Sequence, residues 1–227
     1  MRINVAIDGP GAAGKSTIAK RLALKFGYRY LDTGAMYRSV ALKVLRKGLA
    51  IDDEVGIMAM LAETSITFDD KLKVYLDHED VSDAIRAHDI SLCASTVSLL
   101  PRVRQDMVRR QQEIAALQPG IVMDGRDIGS VVLPDAQLKI YLIADSKVRA
   151  QRRCDELQAK GQTFDFNQVL KDIETRDYQD MHREHSPLIK CEDAIEVDTS
   201  LMSIEEVVQY IANLIEEREN AACLLEQ

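Results

Sequence analysis

Gly9, Gly14, Lys15 and Ser16 stand in the order G-x-x-x-x-G-K-[ST], inside the stretch INVAIDGPGAAGKST. That pattern cradles the phosphates of a nucleoside triphosphate. Glycines let the backbone curl until several N–H groups point at one anion, through dihedrals that a Cβ would block. Lys15 supplies a point charge between the β- and γ-phosphates, and the Ser16 hydroxyl can ligate Mg²⁺. A helix beginning near Lys15 adds the positive end of its dipole. The apolar run Ile3, Val5, Ile7 reads as a buried strand, so the loop has the strand before it and the helix after it that the motif requires. The chain is therefore expected to bind a nucleoside triphosphate. Which group receives the phosphoryl is not decided by this stretch.

Four further clusters carry charge or hydroxyl groups at telling spacings. Asp32-Thr33-Gly34-x-x-Tyr37-Arg38 puts a hydroxyl and a guanidinium one helical turn apart, suited to a second phosphate; alone, it also reads as a helix N-cap with a solvated arginine. Asp124-Gly125-Arg126-Asp127 follows a buried strand, where two carboxylates and an arginine are costly unless paired or met by a ligand. A functional loop is favoured there, with Asp124 a candidate to orient Mg²⁺ waters. Arg149, Arg152 and Arg153 share one helical face, either a lid over transferring phosphates or a solvated surface. Arg176, Asp180 and Arg183 share another, with an ion pair as the plainer reading. Arg102, Arg104, Arg109 and Arg110 follow Pro101 on a helix and read mostly as solvated. His182 and His185 lie near no further Cys or His and read as a solvated or phosphate-side pair, not a metal site.

These residues need positioning elements, and the apolar periodicity predicts them. A helix runs from Ser16 to Lys25, stopped by Gly27; a short strand covers Tyr28 to Leu31; a helix runs to Leu45 before Gly48. Asp52 or Asp53 caps a helix from about Glu54 to Glu63. From Ser65 the period changes to two, through Ile66–Phe68, Val74–Leu76 and Glu79–Val81, with turns at Asp69-Asp70 and Asp77-His78. This predicts a small three-stranded antiparallel sheet with one wet face. Ser82 to Ser98 reads as helical, and Pro101 starts a long helix to about Leu117. Buried strands follow at Ile121–Met123 and Leu138–Ile143. Helices are expected from Ser146 to Lys160 and Asn167 to Arg183, and a last strand at Ala194–Val197. Ser203 and Glu206 form a capping box for a C-terminal helix whose apolar face is Ile204, Val207, Val208, Ile211, Leu214 and Ile215, fraying after Glu219. Short strands alternating with helices imply an α/β fold, a parallel sheet covered on both sides. The loops Gly9–Ser16, Asp32–Arg38 and Asp124–Asp127 each follow a strand, so they are expected to meet at its carboxyl edge.

Composition narrows the class. With 227 residues, 46% hydrophobic and 29% charged, the chain reads as a soluble globular protein of one domain with insertions. A net charge of −8 argues against general binding of nucleic acid and gives no reason to propose an oligomer, so a monomer is expected. No apolar run approaches ~20 residues and no signal segment precedes the first strand, so no membrane contact and a cytoplasmic location are expected. Cys93, Cys154, Cys191 and Cys223 have no C-x-x-C spacing and read as reduced thiols.

Taken together, GPGAAGKST, LDTGAMYR, PRVR, DGRDIG with VVLPDA, and RDYQDMHR resemble bacterial cytidylate kinases. The resemblance runs from Asp8 to Pro187 and rests on the combination, since each piece alone is weak. It implies a P-loop nucleoside monophosphate kinase fold, with core 1–32, 99–145 and 167–227, monophosphate-binding part 33–98 bearing the small sheet, and lid 146–166. It implies transfer of phosphoryl from ATP to CMP or dCMP. ATP with Mg²⁺ would sit on Gly9, Pro10, Gly11, Ala12, Ala13, Gly14, Lys15, Ser16 and Thr17, the metal on Ser16. The acceptor nucleotide would meet Thr33, Arg38 and Arg126, the two arginines mainly at its phosphate. Ser95, Arg104 and Asp127 would face its base, and Arg176, Asp180 and Arg183 its ribose and phosphate. Lys15, Arg126, Arg149, Arg153 and Arg183 would carry the catalytic charge. Thr33 stands where the family often has serine and keeps the hydroxyl; Gln179 stands where some members have a further arginine, which puts fine sugar contacts in doubt but not the reaction. Adenylate- and shikimate-type kinases are the near alternative. A GTPase switch is the distant one, and it lacks its N-K-x-D motif here.

Overall fold

Residues Val5 to Asp8 form β1, buried from end to end as its apolar run requires. In this computed structural model, which describes residues 1–69, 71–117 and 119–224, the chain continues through α1 (Lys15–Phe26), β2 (Arg29–Asp32), α2 (Thr33–Lys47) and α3 (Glu54–Ala62). Three short strands follow, β3 (Ile66–Phe68), β4 (Val74–Leu76) and β5 (Glu79–Asp80), then α4 (His88–Val97) and α5 (Pro101–Ala116). The remainder is β6 (Ile121–Gly125), β7 (Leu138–Ile143), α6 (Ser146–Ala159), α7 (Phe166–His182), β8 (Ile195–Asp198) and α8 (Ile204–Leu224). Asp70, of the expected Asp69-Asp70 turn, and the last three residues of the tail lie outside the described residues. The chain divides into two compact units, Met1–Tyr30 with Gln118–Gln227, and Leu31–Leu117, with the boundary inside β2.

The first unit is built on a five-stranded sheet in the order β2-β6-β1-β7-β8. β1 pairs in parallel with β6 and β7, and β7 in parallel with β8. β1 thus lies at the centre, and the loops leaving β1 and β6 emerge at one sheet edge, where ligands bind in such folds. α1 buries Ile18, Ala19, Leu22 and Ala23, the face its spacing marked out, and each large side chain so buried stabilises by roughly 2 kcal/mol. Gly27 ends it at φ 64°, its N–H bonded to the Ala23 carbonyl. α8 opens with the expected capping box: Ser203 Oγ accepts from the Glu206 N–H at 3.2 Å, and Glu206 Oε2 accepts from the Ser203 N–H at 2.8 Å. Its buried residues are Val207, Ile211, Ala212 and Ile215, while Ile204 is exposed. The helix does not fray after Glu219; it continues to Leu224, with Glu219 accepting a 2.6 Å bond from the Tyr28 hydroxyl.

The second unit begins with α2, capped by Asp32, whose carboxylate accepts from the Ala35 N–H at 2.8 Å. Asp53, rather than Asp52, caps α3 through the Gly56 N–H. β3, β4 and β5 form the expected antiparallel sheet. Asp77 and His78 make its tight turn, both at positive φ. The third strand stops at Asp80; Val81 is buried and only its N–H follows, to the Val74 carbonyl. The expected continuous helix over Ser82–Ser98 is interrupted, with a single tight turn at Ala84–Arg86 before α4, since Ala87 is extended. α5 carries Pro101 in its first turn, buries Val103 and Met107, and belongs to this unit. Its placement differs from the expected core assignment of residues beyond 99.

Candidate active site

The exit from β1 can be made by glycine alone. At Gly9 φ is 147°, and a Cβ there would fall 2.1 Å from the Leu142 carbonyl oxygen of β7. Gly14, at φ 90°, is the N-cap of α1 and offers no side chain, so the first-turn N–H groups are left for an anion. No acidic residue stands in that turn to compete. Ala12 also lies in the left-handed region, at φ 57°, and Pro10, Gly11, Ala13 and Thr17 complete the loop and the start of the helix. Lys15 is buried, its Nζ donating to the Pro10 carbonyl at 2.6 Å. Burial, and then the neighbouring Arg126, push its ammonium down to about 7 against the pull of Asp124, Asp180 and Asp8.

Ser16 and Asp124 meet: the hydroxyl donates to Asp124 Oδ2 at 2.7 Å, and the Tyr30 hydroxyl donates to Oδ1 at 2.7 Å. This places a hydroxyl and a carboxylate together at the ends of the P-loop and β6. Both are hard oxygen donors, and the pair fits Mg²⁺, which takes one or two such ligands beside phosphate and water. Tyr30 was not singled out by sequence: Tyr30 and Leu31 are both buried in β2, so alternation gives no sign that the tyrosine hydroxyl meets Asp124.

Arg126 reaches over the P-loop, its Nη2 3.6 Å from where a Cβ on Gly11 would lie. Its Nε pairs with Asp180 at 2.7 Å. Burial disfavours this guanidinium's charge, yet Asp180 and further carboxylates outweigh burial and raise it; Arg126 in turn keeps Asp180 low despite burial. Arg183 lies against the same group, 3.7 Å from Asp180 and 3.9 Å from Asp127, its Nε donating to the Ser186 carbonyl. Asp127 is buried, and Arg176 is exposed on α7, one turn before Asp180, whose carboxyl it helps to hold low.

The three arginines of α6 do not act as one face. Arg149 is 5% exposed, donating from Nε to the Ala144 carbonyl at 2.9 Å and from Nη1 to the Gly11 carbonyl at 3.1 Å. The same Nη1 pairs with Asp177 at 2.6 Å. Arg152 is bound to Thr199, donating to its carbonyl at 2.6 Å and hydroxyl at 3.1 Å. Arg153 faces outward and pairs with Glu156. The three diverge because each meets a different partner at its own height on the helix: Asp177 and two carbonyls for Arg149, Thr199 for Arg152, Glu156 for Arg153. Asp177 was missed, although it stands three before Asp180 on the same helical face.

In the second unit, Thr33 is buried at the first position of α2. Arg38 pairs with Asp32 at 2.9 Å, and Gly34 leaves room for that pair: a Cβ there would lie 3.0 Å from Arg38 Nη1. Arg104 is buried, its Nε donating to the Ser98 carbonyl and its guanidinium 5.3 Å from the centre of the Tyr37 ring. Ser95 returns its hydroxyl to the Ser91 carbonyl. A hollow of about 360 Å³ beside α5, lined by residues such as Met36, Ile66 and Arg110, holds none of the expected site residues. His182 stacks on Tyr178 with ring centres 4.0 Å apart. The four cysteines are free thiols, and among the described residues no helix is long and apolar enough to cross a membrane.

A sequence profile for the family described as cytidylate kinase matches residues 5–217. The chain is 49% identical over 219 residues to a protein named cytidylate kinase from Listeria innocua serovar 6a, covering 96% of this chain and 97% of that one. It is 49% identical over 216 residues to the cytidylate kinase of Caldicellulosiruptor bescii, covering 94% and 95%. Among solved structures, a gluconokinase from Sinorhizobium meliloti 1021 aligns with TM-score 0.51 at 12% identity, over 98% of this chain and 97% of that one, a likeness of fold alone.

Proposed function

We propose that this chain, which belongs to the cytidylate kinase family, transfers the γ-phosphoryl group of ATP to the phosphate of CMP or dCMP, yielding ADP and CDP or dCDP. The observation that carries the reading is the uncapped, glycine-turned start of α1, with the Lys15 ammonium and the Arg126 guanidinium beside it in one compact unit. The accepting phosphate oxygen is already ionised at neutral pH, so no general base is required. What remains is positioning and neutralisation of charge.

Residues 9–17 hold the ATP phosphates, and Lys15 exchanges the Pro10 carbonyl for phosphate oxygens. Ser16 and Asp124 would hold Mg²⁺, whose charge would offset that of the β- and γ-phosphates. Arg126, Arg149 and Arg183 meet the charge that spreads over the transferring group, and Arg153, paired with Glu156 in the empty protein, joins them when the lid closes. Thr33, Arg38, Ser95 and Arg104 are the second unit's contribution to CMP, and Arg126, Asp127, Arg176, Asp180 and Arg183 the first unit's. The segment 146–166 serves as the lid. The protein works as a monomer in the cytoplasm, where both substrates are found.

Asp127 carries the choice of base. Cytosine presents an amino donor at N4, and a carboxylate accepts from it; uracil would oppose two acceptors at that point. A site built to bond a group rejects the analogue lacking it far better than an apolar pocket can. Asp127→Ala should therefore weaken CMP strongly, narrow its advantage over UMP, and leave ATP little changed. Equal losses for CMP and UMP, or a loss confined to ATP, would show that Asp127 does not read the base.

A further inference from the structure

Asp8 is a buried carboxylate whose only part above is a minor pull on the Lys15 ammonium. It ends β1, one residue before Gly9, and is 5% exposed. Oδ1 accepts from the Ile128 N–H at 2.9 Å, and Oδ2 accepts from the Gly129 N–H at 2.8 Å. Those N–H groups open the wide turn at Ile128–Val132. A turn of this kind is ordinarily capped by the residue just before it. Here that residue is Asp127, and its side chain makes no cap bond. The cap comes instead from a different strand. Asp8 also lies opposite Gly125 in the β1–β6 register. One residue therefore holds both ends of the segment Gly125–Gly129, whose middle is Arg126 and Asp127. The Lys139 side chain packs against the same turn: a Cβ on Gly129 would sit 3.1 Å from Lys139 Cδ and in ordinary contact, 3.5 Å, with Asp8 Oδ2.

We infer that Asp8 is a positioning residue, which sets the loop carrying Arg126 and Asp127 in register with the P-loop that begins at the next residue. The inference rests on the reading that Arg126 and Asp127 contact CMP. Its electrostatics fit a group retained for function. Burial, with a smaller push from Asp127, raises the carboxyl from 3.8 to about 6, against the two N–H bonds and Lys15. The native pKa lies above the unfolded one, so stability falls as pH rises from ~4 through ~6, and the charge at pH 7 is held at the expense of the fold. The groups facing it are Lys15 from the P-loop, Asp127 from the loop it holds, Lys139 and Tyr141 from β7, and Cys191 from the segment before β8.

Asp8→Asn keeps the shape and leaves one acceptor, turning an NH₂ toward the second N–H. At pH 8 its kcat/KM for CMP should fall about ten- to a hundredfold, the range seen for partners that orient metal-ligating side chains, with KM for ATP nearly unchanged. The ratio of wild type to variant cancels the titration of CMP itself. It should shrink toward one below pH 6, where wild-type Asp8 is also uncharged. A ratio independent of pH, or equal losses for ATP and CMP, would mean that Asp8 is a structural residue only. The wild-type protein gives a check that needs no variant to fold: the Ile128 and Gly129 amide protons should titrate together with a midpoint near pH 6, and separate or absent titrations overturn the inference. Arg126→Ala and Asp127→Ala test the reading beneath it. If both retain CMP turnover, that reading fails, and Asp8 stands or falls on the amide titration alone.

Discussion

Lys15 shows how a single residue is prepared for its ligand. Its ammonium is buried against the Pro10 carbonyl and held down to about 7, first by burial and then by Arg126. Anionic phosphates favour the charged form. ATP binding at pH 8 should therefore take up a proton at Lys15, detected as a binding enthalpy that changes between buffers of different ionisation enthalpy. Proton release, or no buffer dependence, would contradict the assigned environment. In the empty protein the sign is equally defined. The folded state binds fewer protons than the unfolded between about pH 7 and 10.5, so this group's contribution to stability rises with pH across that window. Lys15→Ala removes a charge whose burial is costly, so it should fold and melt no lower than wild type at pH 7. It should lose about a hundredfold or more in kcat, because the charge acting on the transferring phosphoryl is gone. Near-normal turnover in the folded variant would remove Lys15 from the site.

At the scale of elements, α6 is the instructive case. Its spacing put Arg149, Arg152 and Arg153 on one face, as a lid over phosphates or a solvated surface. In the structure Arg149 is held by Asp177 and two carbonyls, and Arg152 by Thr199. The first two turns are thus anchored, and only the part beyond Arg153 lacks such ties. Hydrogen exchange of the empty protein should be slow at residues 149–152 and fast over about 156–165, the second stretch slowing when a bisubstrate analogue of ATP and CMP binds. Equal rates with and without the analogue would leave that stretch a solvated helix end and not a lid. Helical spacing reports which side chains share a face, but it does not report which carbonyl or carboxylate of another element waits there. Hence Asp177, Thr199 and Tyr30 were not legible, whereas the capping box at Ser203 and the glycine stop at Gly27 were, because local chemistry decides both.

For the molecule as a whole, short continuous apolar runs alternating with helices were enough to predict a parallel sheet, and the two-residue period after Ser65 to predict the small antiparallel one. The strand order was not legible from those runs, which look alike whichever neighbour they have. Nor was the affiliation of α5, whose buried Val103 and Met107 suit either unit until packing is known. The phosphate loop could be read because its glycines are fixed by backbone dihedrals and by the approach of Leu142. The proposed function requires that ATP be consumed only to phosphorylate a cytosine nucleotide. The most direct measurement is ADP formation from ATP and Mg²⁺ with CMP, dCMP, UMP, AMP and GMP supplied one at a time. Rapid, acceptor-dependent ADP formation with CMP and dCMP, much less with UMP and least with the purine nucleotides, is the expected result. Slow hydrolysis indifferent to every acceptor, or turnover with another acceptor and none with CMP, would contradict it.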